Sequence, residues 1–212
     1  MKKKLIVIVL IVLAVGGGAA YTLTRNNKSS DSSTSSSSSS DNQFTANPTD
    51  SAFKATITTQ TDSGQTVMVM EHDQAKNITK VTGSANGSSF TYYYAPSGFY
   101  MCQTETTCMK YSSDSSFADV FDPTTYTYDE AKLTALRTGS SYQGVKNCPA
   151  GSCNVWKVTS DNSSLLMYID TKTHRISEVD STYGTTTSKI EYDFNPVSLT
   201  LPENATTVTI PQ

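Results

Sequence analysis

Four cysteines carry the most reactive side chains of this 212-residue chain, and they come as two close pairs. Cys102 and Cys108 bracket "QTETT"; Cys148 and Cys153 bracket "PAGS". Close pairs serve redox catalysis, metal binding or the stapling of a turn. The spacings C-x5-C and C-x4-C match neither the C-x2-C of a thioredoxin-like redox site nor a common zinc knuckle. Other reactive types are sparse. There are two histidines. His72 falls near a strand end, and His174 lies in "DTKTHR", which reads as a solvated turn. No H-E-x-x-H, G-x-S-x-G, glycine-rich phosphate loop or calcium-loop pattern occurs. Asp129 and Glu130 form a carboxylate pair that helix N-terminal charge compensation explains. Asp170, Glu178 and Asp180 read as outward positions on strands. Tyr92, Tyr93, Tyr94, Phe99 and Tyr100 either line a ligand groove or reflect the strand preference of aromatics. Catalysis is not expected, and no cofactor or metal is implied.

The compartment decides what the cysteines do. Lys2, Lys3 and Lys4 precede an uncharged apolar run from Leu5 to Leu23. As a helix at ~1.5 Å per residue the run spans about 28 Å, close to the ~30 Å hydrocarbon core. The lysines favour a cytoplasmic N-terminus, so residues 1–24 read as a membrane anchor and the remainder as extracytoplasmic. Gly18, Ala19 and Ala20 also offer a signal-peptidase site, which would make the product secreted. Residues 25–43, rich in serine and lacking apolar side chains, read as a disordered tether. Residues 44–212 suffice for one domain with a core. Five basic and two acidic residues precede position 44, which leaves that domain a net charge near −6 with only Arg137 and Arg175 as arginines. Nucleic acid and anionic lipid surfaces are therefore poor partners. In an exported domain an even cysteine count reads as disulfides, with local pairing, Cys102–Cys108 and Cys148–Cys153, the favoured connectivity.

Period-two alternation fills most of the domain. "FKATITT" places Phe53, Ala55 and Ile57 on one face, and about ten such segments are joined by tight turns, including Asn86-Gly87. The stretch 113–139 differs. "TYDEAKLTALRTG" reads as a helix from Tyr128 to Thr138, capped by Thr127 with Glu130 in a capping box, its stripe formed by Ala131, Leu133 and Leu136. "SSFADVFDP", with Phe117, Val120 and Phe121, reads as a second short helix. The class is α+β: an antiparallel meander with one or two short helices covering one face.

From Gly144 onward, "GVKNCPAGSCNVWKV", "SLLMYIDTKTHRISEVDS" and "TTTSKIEYDFNPVSLTLPENA" resemble the C-terminal half of LolA/LppX-like lipoprotein carriers. The matching positions are Asp170 at a turn, then Tyr192, Pro196, Val197, Leu199 and Pro202; "YYYAPSGFYMC" resembles an earlier strand pair of that family. The resemblance implies a curved, half-barrel-like sheet with helices over its concave face and an apolar space between them. Carriers of that kind are soluble or lipid-anchored and begin with a longer amphipathic helix than "DNQFTANPTDS" allows. Alternation nominates Val67, Val69, Met167, Ile169, Ile190 and Tyr192 as the strand residues facing Leu133 and Leu136 across such a space. The expected function is non-catalytic binding or carriage of a lipid or a lipoprotein's acyl chain. The rival is a structural or adhesive domain on a serine stalk. A pilin-like subunit is disfavoured because the apolar segment holds no glutamate.

Overall fold

The computed structural model describes residues 44, 46, 51–85, 88–104, 107–111, 126–160 and 162–208. The anchor expected at 1–24, the tether at 25–43, the Asn86-Gly87 turn and the helix expected around Phe117, Val120 and Phe121 lie outside the described residues.

Strand β1 (Phe53–Thr61) shows how the sheet is written into the chain. Phe53, Ala55, Ile57 and Thr59 are buried, while the residues between them are not. The meander continues through β2 (Gly64–Asp73), β3 (Ile78–Ala85), β4 (Ser88–Ala95), β5 (Gly98–Cys102) and β6 (Cys108–Tyr111). After helix α1 (Glu130–Gly139) come β7 (Ser140–Cys148), β8 (Gly151–Ser160), β9 (Ser163–Asp170), β10 (Ile176–Tyr183), β11 (Thr186–Asp193) and the two-residue β12 (Thr206–Thr207). All twelve lie in one curved, unclosed sheet in the order β12-β6-β5-β4-β3-β2-β1-β11-β10-β9-β8-β7. Each pair is antiparallel except β12 on β6. The first and last halves of the meander thus meet where β1 pairs with β11. Glycine permits the β4–β5 turn: Gly98 has φ of 134°, and a Cβ there would run into the carbonyl oxygen of Tyr111.

The observed helix confirms the apolar spacing and corrects its start. Asp129, not Thr127, is the N-cap; its carboxylate accepts from the Lys132 amide at 2.8 Å. Thr127 instead presents its carbonyl oxygen to Lys132 Nζ at 2.9 Å. An aspartate cap also favours the positive end of the helix dipole, which a threonine cannot do. Leu133 and Leu136 are buried, whereas Ala131 is exposed.

Beyond β11 the chain is a strap across the convex side. Leu199 packs with Ile78 and Ala95 in a second, smaller core. Its amide donates to Asp73 Oδ2 at 2.9 Å, and its carbonyl oxygen accepts from Lys76 Nζ at 2.6 Å. The hydrogen bonds that Asp73 accepts, the one from Leu199 first, hold its carboxyl below the ordinary range despite burial. The Val208 amide donates to the Lys110 carbonyl oxygen at 2.8 Å, which seats this end of the strap against β6.

Candidate ligand-binding face

Residues directly opposite in antiparallel strands share a face, so the pairing register lays out the concave side. One row runs Phe53, His72, Thr79, Tyr94, Phe99, Tyr111 from β1 to β6. The next runs Ala55, Met70, Val81, Tyr92, Met101, Met109, and a third contains Ile57, Met68, Gly83 and Phe90. Gly83 has a reason to lack a side chain: a Cβ there would lie 2.6 Å from the Phe90 ring. On the other side of β1, Tyr192 faces Ala55, and Ile190 faces both Ile57 and Val179, which in turn faces Met167.

Met167, Ile169, Tyr192, Leu133 and Leu136 belong to one core cluster, with Ile190 packed against it. Val67 and Val69 do not join them. They lie on the convex face, Val67 exposed, and Met68 and Met70 take the inward positions. In "TVMVM" both alternating sets are apolar, so period alone cannot choose the parity; the pairings Ala55↔Met70 and Ile57↔Met68 choose it.

The concave side has two regions. Around α1, Leu133 is 0% exposed, and Met167, Ile169 and Val179 are 1% exposed, so these side chains are covered on every side. Phe44 wedges at the helix end, edge-on to Trp156 at 5.3 Å and under the Arg137 guanidinium at 5.8 Å. Tyr126 and Tyr128 are buried over the middle of the sheet, and the Tyr192 hydroxyl donates to the Tyr126 carbonyl oxygen at 2.8 Å. Burial pushes the Tyr126 phenol up to about 12 and raises Tyr128 and Tyr192 as well, so all three stay neutral. Across β4–β6, by contrast, Phe90, Tyr94, Met101, Met109 and Tyr111 are only half-buried. The rings of this region form a layer, with Phe90 stacked on Tyr92 at 5.1 Å and Tyr92 on Phe99 at 5.6 Å.

The titratable groups have structural partners. His72 Nδ1 lies 3.0 Å from Thr79 Oγ1; burial holds the imidazole below its ordinary value, with Asp73 pulling the other way. On the convex side Lys189 Nζ reaches Glu178 at 2.9 Å and Glu191 at 3.4 Å. Burial nevertheless raises the Glu178 carboxyl. Glu178 and Asp170 thus point outward as expected but are themselves buried. Asp129 caps the helix and Glu130 pairs with Arg137 at 2.9 Å. His174 sits in the β9–β10 turn with a φ of 55°. Among the described residues no group of three or more histidine, cysteine, aspartate or glutamate side chains is arranged to hold a metal. The cysteines form the disulfides Cys102–Cys108 and Cys148–Cys153, each closing a hairpin.

Sequence reasoning missed one feature. At the end of β9–β11 a cleft of ≈ 270 Å³ opens between the β9–β10 turn, Ala150 and the exit of β11. Tyr192 and Phe194 form its apolar wall, while Arg175, Asp170 and Asp193 form its polar rim. The Arg175 guanidinium stands 4.8 Å over the Phe194 ring. The two lie on different strand ends, with no local signal to join them.

No protein-family model and no curated protein matches the chain. Solved structures do. LprF from Mycobacterium bovis superposes with a TM-score of 0.50 at 10% identity, over 72% of this chain and 89% of that one. This is the LolA/LppX-like fold. The lipoprotein LppX from Mycobacterium tuberculosis gives 0.48 at 11% identity, over 70% and 88%. An uncharacterized conserved protein from Thermus thermophilus gives 0.44 at 10% identity, over 76% and 91%. At such identity the likeness speaks for the LppX-like fold alone.

Proposed function

We propose that this domain binds an apolar chain, a lipid or the acyl group of a lipoprotein, on the concave side of its half-barrel. The carrying observation is the half-buried layer of Phe90, Tyr94, Met101, Met109 and Tyr111 on an unclosed sheet. Methionine and aromatic side chains adapt to irregular apolar partners, and a layer left half-covered has surface to give one. This reading moves the ligand away from the helix: Leu133, Leu136, Met167 and Ile169 support the site, and the β4–β6 side chains contact the ligand. Residues 1–24 hold the domain at the outer side of the membrane, and residues 25–43 set its reach.

A second reading, a structural or adhesive domain without a ligand, draws on the filled core beneath α1. One experiment separates the two. The chain from residue 44 is purified without detergent, examined by native mass spectrometry for bound lipid, and titrated with a fluorescent fatty acid. The carrier reading expects probe uptake, reduced by Met101→Trp with little loss of stability. Leu133→Trp should overpack the closed region by about 1–3 kcal/mol. A domain that takes up no apolar probe is the structural one. The placement is checked by fractionation: a secreted product beginning at Tyr21 would replace the anchor with a cleaved signal.

A further inference from the structure

We propose that the cleft between the β9–β10 turn and the exit of β11 binds a carboxylate end group through Arg175, at the edge of the apolar face. The proposal rests on the apolar-chain reading only for what lies behind that end group.

The charges in the cleft are unequally committed. Asp170 accepts from the Thr173 hydroxyl at 2.6 Å and from the amides of Lys172 and Thr173 at 3.2 Å each, so its oxygens hold the turn together. Asp193 Oδ1 accepts from the Asn195 amide at 3.0 Å, and the side chain is otherwise exposed to screening solvent. Arg175 differs. Among the described residues no carboxylate lies within ion-pair distance of its guanidinium, whose contact is the face of Phe194. A guanidinium held over a ring face keeps N–H groups available to hydrogen-bond. Ser177 lies on the wall as well; its Oγ accepts from the Ala150 amide at 3.2 Å, which leaves its proton to donate. Asp170 and Asp193 outnumber Arg175 in the cleft lining, so an anion is held there by local geometry and not by net charge: a planar carboxylate matches an arginine fork with two parallel hydrogen bonds.

The apolar wall supplies the second half of the recognition. Tyr192 and Phe194 line the cleft, Tyr192 as a member of the concave core and the half-buried Phe194 packed against it, whereas Ile176 is 0% exposed and offers a ligand no surface. A carboxylate held by Arg175 would therefore have its carbon chain directed along apolar surface. At ≈ 270 Å³ the cleft suits an end group rather than a whole large ligand.

The test uses the full chain in phosphatidylcholine nanodiscs, with partitioning into empty discs subtracted. Hexanoate, hexanol, hexylammonium and acetate are titrated while the amide signals of Ala150 and Ser177 are followed. Hexanoate should bind at least about tenfold more tightly than hexanol, which a single good charged hydrogen-bond pair supplies. Arg175→Ala should bring hexanoate down to the level of hexanol and leave hexanol unchanged; Arg175→Lys should keep part of the difference. Hexanoate stronger than acetate identifies an acyl chain as the source of the carboxylate, and equality identifies a free small carboxylate. Binding of acetate through Arg175 with no response to hexanol would leave the cleft standing and count against the apolar-chain reading. Equal binding of hexanoate and hexanol by the wild-type chain, an unaffected Arg175→Ala variant, or tightest binding of hexylammonium would overturn the carboxylate assignment.

Discussion

Around α1 the concave face is closely covered, whereas across β4–β6 Phe90, Tyr94, Met101, Met109 and Tyr111 stay half-buried. Both regions derive from the same period-two alternation on one continuous sheet. The difference lies in what covers them. Leu133 and Leu136 of the helix join Met167, Ile169 and Val179 in one core cluster whose members are almost wholly covered. Across β4–β6 rings stack on one another along the sheet, and Phe90, Tyr94, Met101, Met109 and Tyr111 around them stay half-buried. An inward-facing apolar ladder is thus not by itself a binding site, because a cover can close it.

The contrast has measurable consequences. Leu133→Ala removes a fully covered side chain and should cost about 2–5 kcal/mol, whereas a half-buried methionine such as Met101→Ala should cost well under half of that. Urea midpoints for the two variants check it, and equal losses would mean the regions are packed alike. Asp73→Ala should come next, at about 1–3 kcal/mol, because the buried Leu199 amide loses its acceptor. Hydrogen exchange should localise that loss to the strap, with the helix-covered region unchanged. The two staples provide an internal comparison, one in β5–β6 and one in β7–β8. Reducing either should cost about 2 kcal/mol, since each loop is short, and leave the sheet's circular dichroism intact. Collapse of the sheet on reduction would show that the hairpins depend on their bridges.

The smallest effect is expected from pH. His72 occupies the row that joins the two regions, and burial lowers its folded value below the ordinary 6.5. The unfolded chain then binds more protons than the folded one between those two values. Stability from this group is complete above pH 6.5 and declines as pH falls through the lower folded value. Comparing thermal midpoints of the wild type and His72→Gln from pH 7 to 5 should show a steeper decline in the wild type. Parallel curves would mean the imidazole is as solvated as in the unfolded chain.

Much of this architecture was legible in local order. Alternation in "FKATITT" marked Phe53, Ala55 and Ile57 as inward, and the spacing of Leu133 and Leu136 marked the helix stripe. The short cysteine spacings pointed to the hairpin disulfides. Each signal acts over a few residues, where backbone geometry alone sets which side chains point together. The Pro196, Val197, Leu199 and Pro202 pattern carried the family likeness without stating its job, which is to fasten a strap on Asp73 and Ile78.

What needed the tertiary structure was every choice between locally equivalent options. "VMVM" offers two apolar faces, and only the pairing of Met70 with Ala55 put methionine inside and valine outside. Thr127 and Asp129 both suit an N-cap, and the position of the Lys132 amide selected the aspartate. Arg175 and Phe194 met because β10 and β11 lie side by side, which no local pattern encodes. Alternation and capping are short-range properties of the chain, so the sequence by itself determined the elements and their apolar faces. Register, cover and the cleft arise from contacts between distant segments, which only the folded sheet brings within bonding distance.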